Sequence, residues 1–160
     1  MKITSKTPSE SQVEMREMVM PNHTNPQNTV FGGTVMSWID IAAAMCAARH
    51  CGKAVVTAHI SDIDFLAPIR VGEHVHIMAS VNYTGRTSIL VGVKVVSENP
   101  YTQEERNTTK AYLTFVALDS HGKPTEVPKI DPQTDEEKRR FDNARARVEA
   151  KKKLRSELKY

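Results

Sequence analysis

The chain has 160 residues, of which 39% are hydrophobic and 26% are charged, and its net charge is +3. That length suits one domain with a hydrophobic core, no apolar run is long enough to cross a membrane, and the first residues lack the apolar segment of a signal peptide. The positive surplus lies in residues 135–160, which contain ten Lys and Arg against six Asp and Glu. No nucleic-acid-binding module accompanies it, so we expect neither a membrane span nor a nucleic-acid partner.

The two cysteines, Cys46 and Cys51, have neither the CxxC spacing nor another metal-ligand spacing. Unpaired thiols are typical of a reducing compartment, so we expect a cytoplasmic protein. The histidines also lack metal-ligand spacing, since His74 and His76 share one strand face without a third partner. We therefore expect no metal site and no resident cofactor.

The first part of the chain predicts a short strand between two irregular segments. Residues 1–10 are polar, and we expect them to be disordered or to lie across the domain surface. Apolar and charged residues alternate over 13–19, which predicts a strand that ends before Pro21. Residues 21–28, rich in Pro, Asn and Thr, predict a loop.

A long apolar helix follows this loop. Gly32 and Gly33 indicate a loop-like start, and residues 34–48 are apolar on nearly every side, which is typical of a buried helix. The helix is expected to end near Gly52. Asp40 lies in its middle, where a carboxylate costs several kcal/mol unless it is paired or protonated. This charge is the main functional clue.

After the helix the periodicity changes to two, as expected for half-buried strands. Four segments carry it: 54–65, 75–83, 89–95 and 111–117. Residues 124–134 then predict a linker, and 135–159 a charged, weakly amphipathic helix. We divide the chain into a disordered N-terminus (1–10), one domain (11–128), and a linker with a basic C-terminal helix (129–160).

The order of elements predicts an α+β fold. One strand and one long helix precede four consecutive antiparallel strands. A curved antiparallel sheet covers one side of such a helix, and a second copy of the chain can cover more. This is the hotdog arrangement, a long central helix wrapped by a curved antiparallel sheet, with a C-terminal charged helix in addition.

Three separated segments carry a more specific resemblance. In chain order they are NPQNTVFGGTVMSWID, VVTAHISDIDFLAPIRVGE and GRTSI, and they resemble the hotdog-fold acyl-CoA thioesterases of the cytosolic acyl-coenzyme A thioester hydrolase family. The resemblance covers residues 11–128 and implies hydrolysis of acyl-coenzyme A to a fatty acid and free coenzyme A. It also implies a homodimer that assembles into a hexamer, a trimer of dimers, with coenzyme A as part of the substrate.

Thioester hydrolysis needs a nucleophile, or a base that activates water, together with donors for the developing oxyanion. Asp40 could attack directly or act as the general base. The N–H groups at a helix start are free donors, and Gly32 and Gly33 would let a substrate carbonyl approach them. Asn25 could orient either the water or the thioester oxygen.

The resemblance implies further roles. Asn25 and Asp40 would form the catalytic pair and come from different subunits, with Gly33 and Thr34 at the oxyanion-binding helix start. Coenzyme A would contact a turn that offers a cation and hydroxyls, and an edge strand that would bind the pantetheine amides. The residues implied for these contacts are Gly32, Ala58, His59, Ile60, Arg86, Thr87 and Ser88.

Each of these residues also has a structural interpretation. Asp40 could bond a neighbouring hydroxyl or backbone group, Asn25 could be a turn residue, and Arg86 could be a solvated charge. Cations of the C-terminal helix could meet nucleotide phosphates, although a solvated helix is the simpler interpretation. Relatives commonly have glycine where this chain has Asn28, and asparagine best tolerates the left-handed backbone that glycine adopts.

Two other functions stay open. A non-catalytic acyl-CoA-binding sensor could use the same fold, but it has no need of a buried carboxylate. A hydratase or dehydratase acting on acyl thioesters normally pairs a histidine with an acid, and residues 25–40 contain no histidine.

Overall fold

A computed structural model describes residues 4–158. Two short 3-10 helices, Pro8–Glu10 and Pro21–His23, accompany the regular elements. The strands are β1 (Ser5–Lys6), β2 (Val13–Met18), β3 (Ala54–Phe65), β4 (His74–Thr84), β5 (Ser88–Glu98), β6 (Glu105–Leu118) and β7 (Lys129–Ile130), and the helices are α1 (Gly32–Cys51) and α2 (Asp135–Glu157). The predicted α+β hotdog fold, with its long central helix and its C-terminal helix, is confirmed.

Five strands form one antiparallel sheet in the order β2-β4-β5-β6-β3. Strands β4, β5 and β6 follow one another as hairpins, but β3 crosses to the far edge and pairs with β6. Each main strand agrees with a period-two segment of the sequence. The position of β3 at an edge leaves its outer backbone groups unpaired within the described residues.

The core lies between α1 and the inner face of the sheet. Alternate residues of the strands point to this face because successive side chains in a strand lie on opposite sides. Those that are fully buried there include Ile77, Ile89, Val91, Leu113 and Phe115, and α1 contributes Ile39, Ala42, Ala43, Cys46 and Ala47. This packing fixes the position of α1 relative to β3.

The sheet covers α1 on only one side, as expected for a single chain of this fold. Met36, Ile41 and Met45 are 39%, 50% and 41% exposed and are spread across the side of the helix that the sheet leaves uncovered, which we call the exposed stripe. A sheet can reach only one side of a cylinder of about 10 Å diameter. The exposed stripe is therefore available to a second protein surface.

Strand β3 is exposed over most of its length and is irregular. Its exposed residues include Val56 and Phe65. Its register with β6 shifts between Thr57 and His59 and again between Ile60 and Asp62. Each shift is a β-bulge, which bends the strand and changes the face to which the next side chain points.

Of the two alternatives expected for the N-terminus, residues 4–10 follow the second and lie across the domain, and residues 1–3 lie outside the described residues. Ser5–Lys6 pairs in parallel with Lys129–Ile130, so part of the expected linker is a strand. The Lys6 ammonium also donates to the Arg49 carbonyl at 2.9 Å. This order arises because the two short segments satisfy each other's backbone hydrogen bonds.

The C-terminal helix is not solvated on all sides but lies across the outer face of the sheet. The Phe141 ring contacts the Tyr83 ring, with centroids 5.3 Å apart. The Arg147 guanidinium donates to Asp62 Oδ2 at 2.6 Å and stacks 3.9 Å from the centroid of the Tyr112 ring. Few large apolar residues are needed for this docking because aromatic and charged contacts hold the helix.

The prediction of unpaired thiols is confirmed, since Cys46 and Cys51 are free and buried. Burial raises the pKa of the Cys46 thiol to about 11. Neither of the described α-helices combines the length and the apolar character needed to cross a membrane.

Candidate active site

The first turn of α1 presents free backbone donors. Its N-cap residue, Phe31, has no polar side chain, and the Phe31 carbonyl accepts hydrogen bonds from the amides of Thr34 (2.9 Å) and Val35 (3.3 Å). The amides of Gly32 and Gly33 come before these and have no acceptor inside the helix. They also lie at the positive end of the helix dipole. Gly32 and Gly33 thus fit the predicted oxyanion-binding role. The Thr34 amide does not, because it already donates to the Phe31 carbonyl.

Asn25 organises the loop that precedes α1. Its Oδ1 accepts from the amides of Gln27 (3.0 Å) and Thr29 (3.2 Å), and its Nδ2 donates to Thr29 Oγ1 (3.1 Å). Because two N–H donors hold Oδ1, the second hydrogen of Nδ2 is the polar group left for a ligand. Asn28 has φ 58°, the left-handed backbone that the sequence led us to expect. The loop therefore presents Asn25 as a hydrogen-bond donor.

Asp40 lies on the border of the exposed helix stripe. The Thr57 hydroxyl donates to Asp40 Oδ1 at 2.8 Å. Thr57 pairs with the buried Phe115, so both side chains point to the inner face of the sheet, toward α1. Asp40 is half-buried in one chain, because the sheet does not cover this side of the helix, so its enclosure by apolar groups stays a prediction that requires a second chain. Asp40 Oδ2 has no donor among residues 4–158.

The predicted catalytic residues form two groups that lie apart from each other within one chain. Asn25, Gly32 and Gly33 lie at the N-terminal end of α1. Asp40 follows Gly33 by seven residues, which corresponds to about 10 Å along the helix axis. Reacting atoms must approach to about 3–3.5 Å. A carbonyl bound at the helix start is thus out of reach of Asp40 in the same chain.

An apolar cavity of about 340 Å³ opens beside the helix start. The Phe65 ring forms one wall, 3.5 Å from where a Cβ on Gly32 would lie. The other lining residues are Thr29, Val30, Val35, Leu66, Ala67, Pro68, Ile69 and Thr109. This lining suits a hydrocarbon chain better than a polar group.

The residues implied for coenzyme A are not all in one place. His59 and Ser88 line a common groove, described below. Ala58 is the extra residue of the first β3 bulge, and Ile60 packs against the core. Arg86 is exposed in the β4–β5 turn, and its carbonyl accepts from the Val127 amide at 3.0 Å. The Thr87 carbonyl accepts a hydrogen bond from the Ala117 amide, so this group holds the sheet together.

We call the space between α2 and the outer face of the sheet the cationic groove. It has a volume of about 730 Å³. Lys151, Lys152 and Arg155 of α2 line it on one side, and the lining residues of the sheet are His59, Ser61, Asp62, Ser88, Leu90 and Thr114. Burial and the charges of Lys151 and Arg155 lower the pKa of His59, and burial and Arg155 lower the pKa of Lys151. The groove is therefore electropositive.

No group of three His, Cys, Asp or Glu side chains in residues 4–158 is arranged to hold a metal ion. The chemistry available at the candidate site is that of a carboxylate, an amide donor and helix-start N–H groups.

The chain is similar to known thioesterases. The model of the thioesterase superfamily matches residues 27–103. An uncharacterized acyl-CoA thioester hydrolase of Bacillus subtilis, YkhA, is 45% identical over 128 residues, which are 80% of this chain and 74% of that protein. A hexameric acyl-CoA thioesterase superposes with a TM-score of 0.93 at 43% identity, covering 98% of this chain and all of that one.

An acyl-CoA hydrolase of Staphylococcus aureus, solved with butyryl-coenzyme A and coenzyme A, superposes with a TM-score of 0.90 at 41% identity, covering 96% of this chain and 93% of that one. Variants of that enzyme have been solved in which an asparagine, an aspartate and a threonine are replaced by alanine. The three replaced residues have the same spacing along their chain as Asn25, Asp40 and Thr57 have along this one.

Sequence reasoning missed Thr57, and it left the cations of the C-terminal helix as an alternative to a solvated helix without identifying the groove that they line. Thr57 is one of several β-branched residues in β3, and nothing local distinguishes it from Val55 or Val56. Its contact with Asp40 spans seventeen positions and depends on how α1 crosses the sheet. The only available signal was that Thr57 is a polar, β-branched residue in the strand that directly follows the helix carrying Asp40.

Proposed function

The chain belongs to the thioesterase superfamily, and on that basis we propose that it hydrolyses acyl-coenzyme A thioesters to a fatty acid and free coenzyme A. The observation that carries the proposal is the position of Asp40, which a hydroxyl of β3 holds beside an exposed apolar stripe while Oδ2 stays free. A sensor or a hydratase would have no evident use for this arrangement. The spacing shared with the substituted residues of the staphylococcal enzyme also supports it.

The reaction needs two kinds of group. Asp40 Oδ2 removes a proton from a water that adds to the thioester carbon, or attacks that carbon itself to form an anhydride that water then hydrolyses. The carbonyl oxygen becomes an oxyanion, which accepts hydrogen bonds from Asn25 Nδ2 and from the free amides of Gly32 and Gly33. Collapse of the tetrahedral intermediate breaks the carbon–sulfur bond, and the coenzyme A thiolate takes up a proton.

A complete site requires two chains. Because the helix start lies about 10 Å from Asp40 of the same chain, the donors must come from a partner. In a two-fold dimer each chain gives its helix start to one site and its Asp40 to the other. The exposed α1 stripe and the unpaired edge of β3 supply the apolar and hydrogen-bonding surfaces for this dimer.

Three further parts of the proposal concern the acyl group, the assembly and the location. The cavity beside Gly32 receives the acyl chain, since its walls are apolar. The dimers assemble into a hexamer like that of the thioesterase to which the chain is similar. The protein acts in the cytoplasm, in keeping with the free thiols of Cys46 and Cys51, and coenzyme A enters only as part of the substrate.

Thiol release from butyryl-coenzyme A tests the proposed reaction. Asp40→Asn should lower kcat by roughly 10²–10⁴-fold while the variant still binds the substrate. Asp64→Asn, the same change at an exposed β3 carboxylate, is the matched control and should keep its activity. If the Asp40→Asn variant still hydrolyses the substrate at the original rate, Asp40 does not have the proposed role. If the unmodified protein forms an enoyl product without releasing thiol, a hydratase is the better assignment.

Subunit mixing tests the shared site. Asn25→Ala and Asp40→Asn are each expected to be inactive, but a mixed dimer contains one intact site. Random exchange between the two variants should therefore restore about one quarter of the original activity, since half of the dimers are mixed and each has one working site. If mixing restores nothing, Asn25 and Asp40 do not act across an interface.

A further inference from the structure

The cavity beside Gly32, where we place the acyl chain, is open at one end and closed at the other. Phe65 lies at its mouth and is 54% exposed. Val35, Ile69 and Thr109 are 2%, 4% and 1% exposed and form its floor. An acyl chain whose carbonyl is bound at the helix start therefore extends from the mouth toward these buried residues.

The floor contains a hydroxyl, on Thr109, that has no hydrogen-bond partner among residues 4–158. The other hydroxyl of the cavity lining, on Thr29, is bonded to Asn25. A buried hydroxyl without a partner costs free energy, and a valine of the same shape would avoid that cost. The residues that follow Thr109 on the inner face of β6 are all apolar, namely Ala111, Leu113, Phe115 and Ala117. The packing of the fold thus gives no reason for a hydroxyl at this position.

Thr109 lies close to the helix start, at the other end of the Phe65 side chain. It pairs with Phe65 across β3 and β6, and residues directly opposite each other in two antiparallel strands have adjacent side chains on one face. Cζ at the tip of the Phe65 ring is 3.5 Å from where a Cβ on Gly32 would lie. One phenylalanine side chain therefore separates the oxyanion-binding amides from the Thr109 hydroxyl, and the first few carbons of an acyl chain span that length.

From these observations we propose that the protein prefers acyl groups that carry a hydroxyl or keto oxygen a few carbons from the thioester, and that Thr109 binds this oxygen. The Thr109 hydroxyl can donate a hydrogen bond to either kind of oxygen and can also accept one from a hydroxyl. A few polar groups in an otherwise apolar pocket set its specificity, because a substrate that lacks the matching group leaves them unpaired. The inference rests on the proposed function and names the class of acyl group on which that function acts.

The test measures thiol release from butyryl-coenzyme A and from the two enantiomers of 3-hydroxybutyryl-coenzyme A, which differ from it by one hydroxyl. The kcat/KM of the unmodified protein should be roughly tenfold higher for one enantiomer than for butyryl-coenzyme A, because only that substrate pairs the buried hydroxyl. Thr109→Val keeps the shape of the side chain and should bring the two values to within about twofold of each other. Thr109→Ser retains the hydroxyl and should keep the preference.

Thr108→Val is the matched control. Thr108 is the neighbouring buried threonine, its hydroxyl donates to the Val95 carbonyl at 3.1 Å, and it does not line the cavity. This variant should unfold at a lower urea concentration but keep the preference, since it loses only a hydrogen bond of the fold. Thr109→Val loses no hydrogen bond within the chain, so its urea midpoint should not fall below that of the unmodified protein.

Equal kcat/KM values of the unmodified protein for the three substrates would overturn the inference, and a water that pairs the Thr109 hydroxyl would give that result. A preference that Thr109→Val retains would also overturn it. If the urea midpoint falls as far in Thr109→Val as in Thr108→Val, the Thr109 hydroxyl stabilises the fold and the inference is wrong.

Calorimetric binding separates these outcomes from failure of the proposed function. If the unmodified protein cleaves none of the three thioesters but binds 3-hydroxybutyryl-coenzyme A more tightly than butyryl-coenzyme A, and Thr109→Val removes the difference, the Thr109 assignment stands and the hydrolase assignment falls. If the protein cleaves all three at the same rate, the hydrolase assignment stands and the Thr109 assignment falls.

Discussion

Replacement of Thr57 tests whether the β3 hydroxyl positions the carboxylate of Asp40. Thr57→Val keeps the shape and the β-branching of the side chain but removes the donor at 2.8 Å from Asp40 Oδ1. Hydrogen bonds to charged groups contribute about 1.5–3 kcal/mol. Since Thr57 is exposed in one chain, we take about 1–2 kcal/mol, which corresponds to a loss of roughly five- to thirtyfold in kcat.

The assay is thiol release from butyryl-coenzyme A over a range of substrate concentrations. A positioning role predicts that kcat falls while KM changes little, because Thr57 does not have to contact the substrate. Thr57→Ser retains the hydroxyl and should keep most of the activity. This rescue separates the loss of the donor from any change in the packing of β3.

A double-mutant cycle gives the sharpest criterion. In the presence of Asp40→Asn, adding Thr57→Val should change the residual rate by less than about twofold, because the two residues act as one unit. If Thr57→Val lowers the rate equally with and without Asp40, or if Thr57→Ser is as inactive as Thr57→Val, Thr57 does not act through Asp40. The hydroxyl would then have an independent role.

Two further predictions concern stability. Burial lowers the pKa of His50 below its ordinary 6.5, so the folded state binds fewer protons at this site than the unfolded state does. The contribution of His50 to the free energy of unfolding should therefore be fully present above pH 6.5 and be lost as the pH falls from there through the lowered pKa. His50→Gln can still donate to the Pro128 carbonyl and should show a smaller loss in urea unfolding between pH 7.5 and 5.5, whereas an equal loss in both proteins would contradict this assignment. Asn28→Ala forces an alanine into left-handed backbone and should lower stability by about 1–2 kcal/mol, while Asn28→Gly should be tolerated; equal stabilities of the two variants in urea would show that the loop relaxes instead.

The local elements were readable from the sequence because their causes are local. The alternation of apolar and polar residues identified the main strands, since it follows from the geometry of a single strand. The apolar run beginning after Gly33 identified α1, and Gly52 ends the helix with φ 66°, as an αL glycine does. The left-handed backbone of Asn28 was expected from the resemblance, since relatives commonly have glycine there and asparagine tolerates that conformation.

The failures of prediction involve contacts between distant segments. The sequence left open whether the N-terminal residues are disordered or lie across the domain, because nothing in Ser5–Lys6 indicates its parallel partner Lys129–Ile130. The charged residues of the C-terminal helix favoured a solvated helix, and nothing in its sequence indicated that Phe141 and Arg147 pack on the sheet. In both cases the stabilising groups lie on another element, and their sequence separation leaves no periodic trace.

The sequence alone determined the long helix with an acid in its middle, the glycine-rich helix start and the strands that must cover the helix. Three features became visible only in the folded chain: the hydrogen bond from Thr57 to Asp40, the distance of about 10 Å between Asp40 and its own helix start, and the electropositive groove that α2 forms beside β3. The physical reason is that side-chain periodicity is set within one element, whereas the joining of elements depends on β3 crossing to the far edge of the sheet. That crossing brings Thr57 to α1 and His59 to α2.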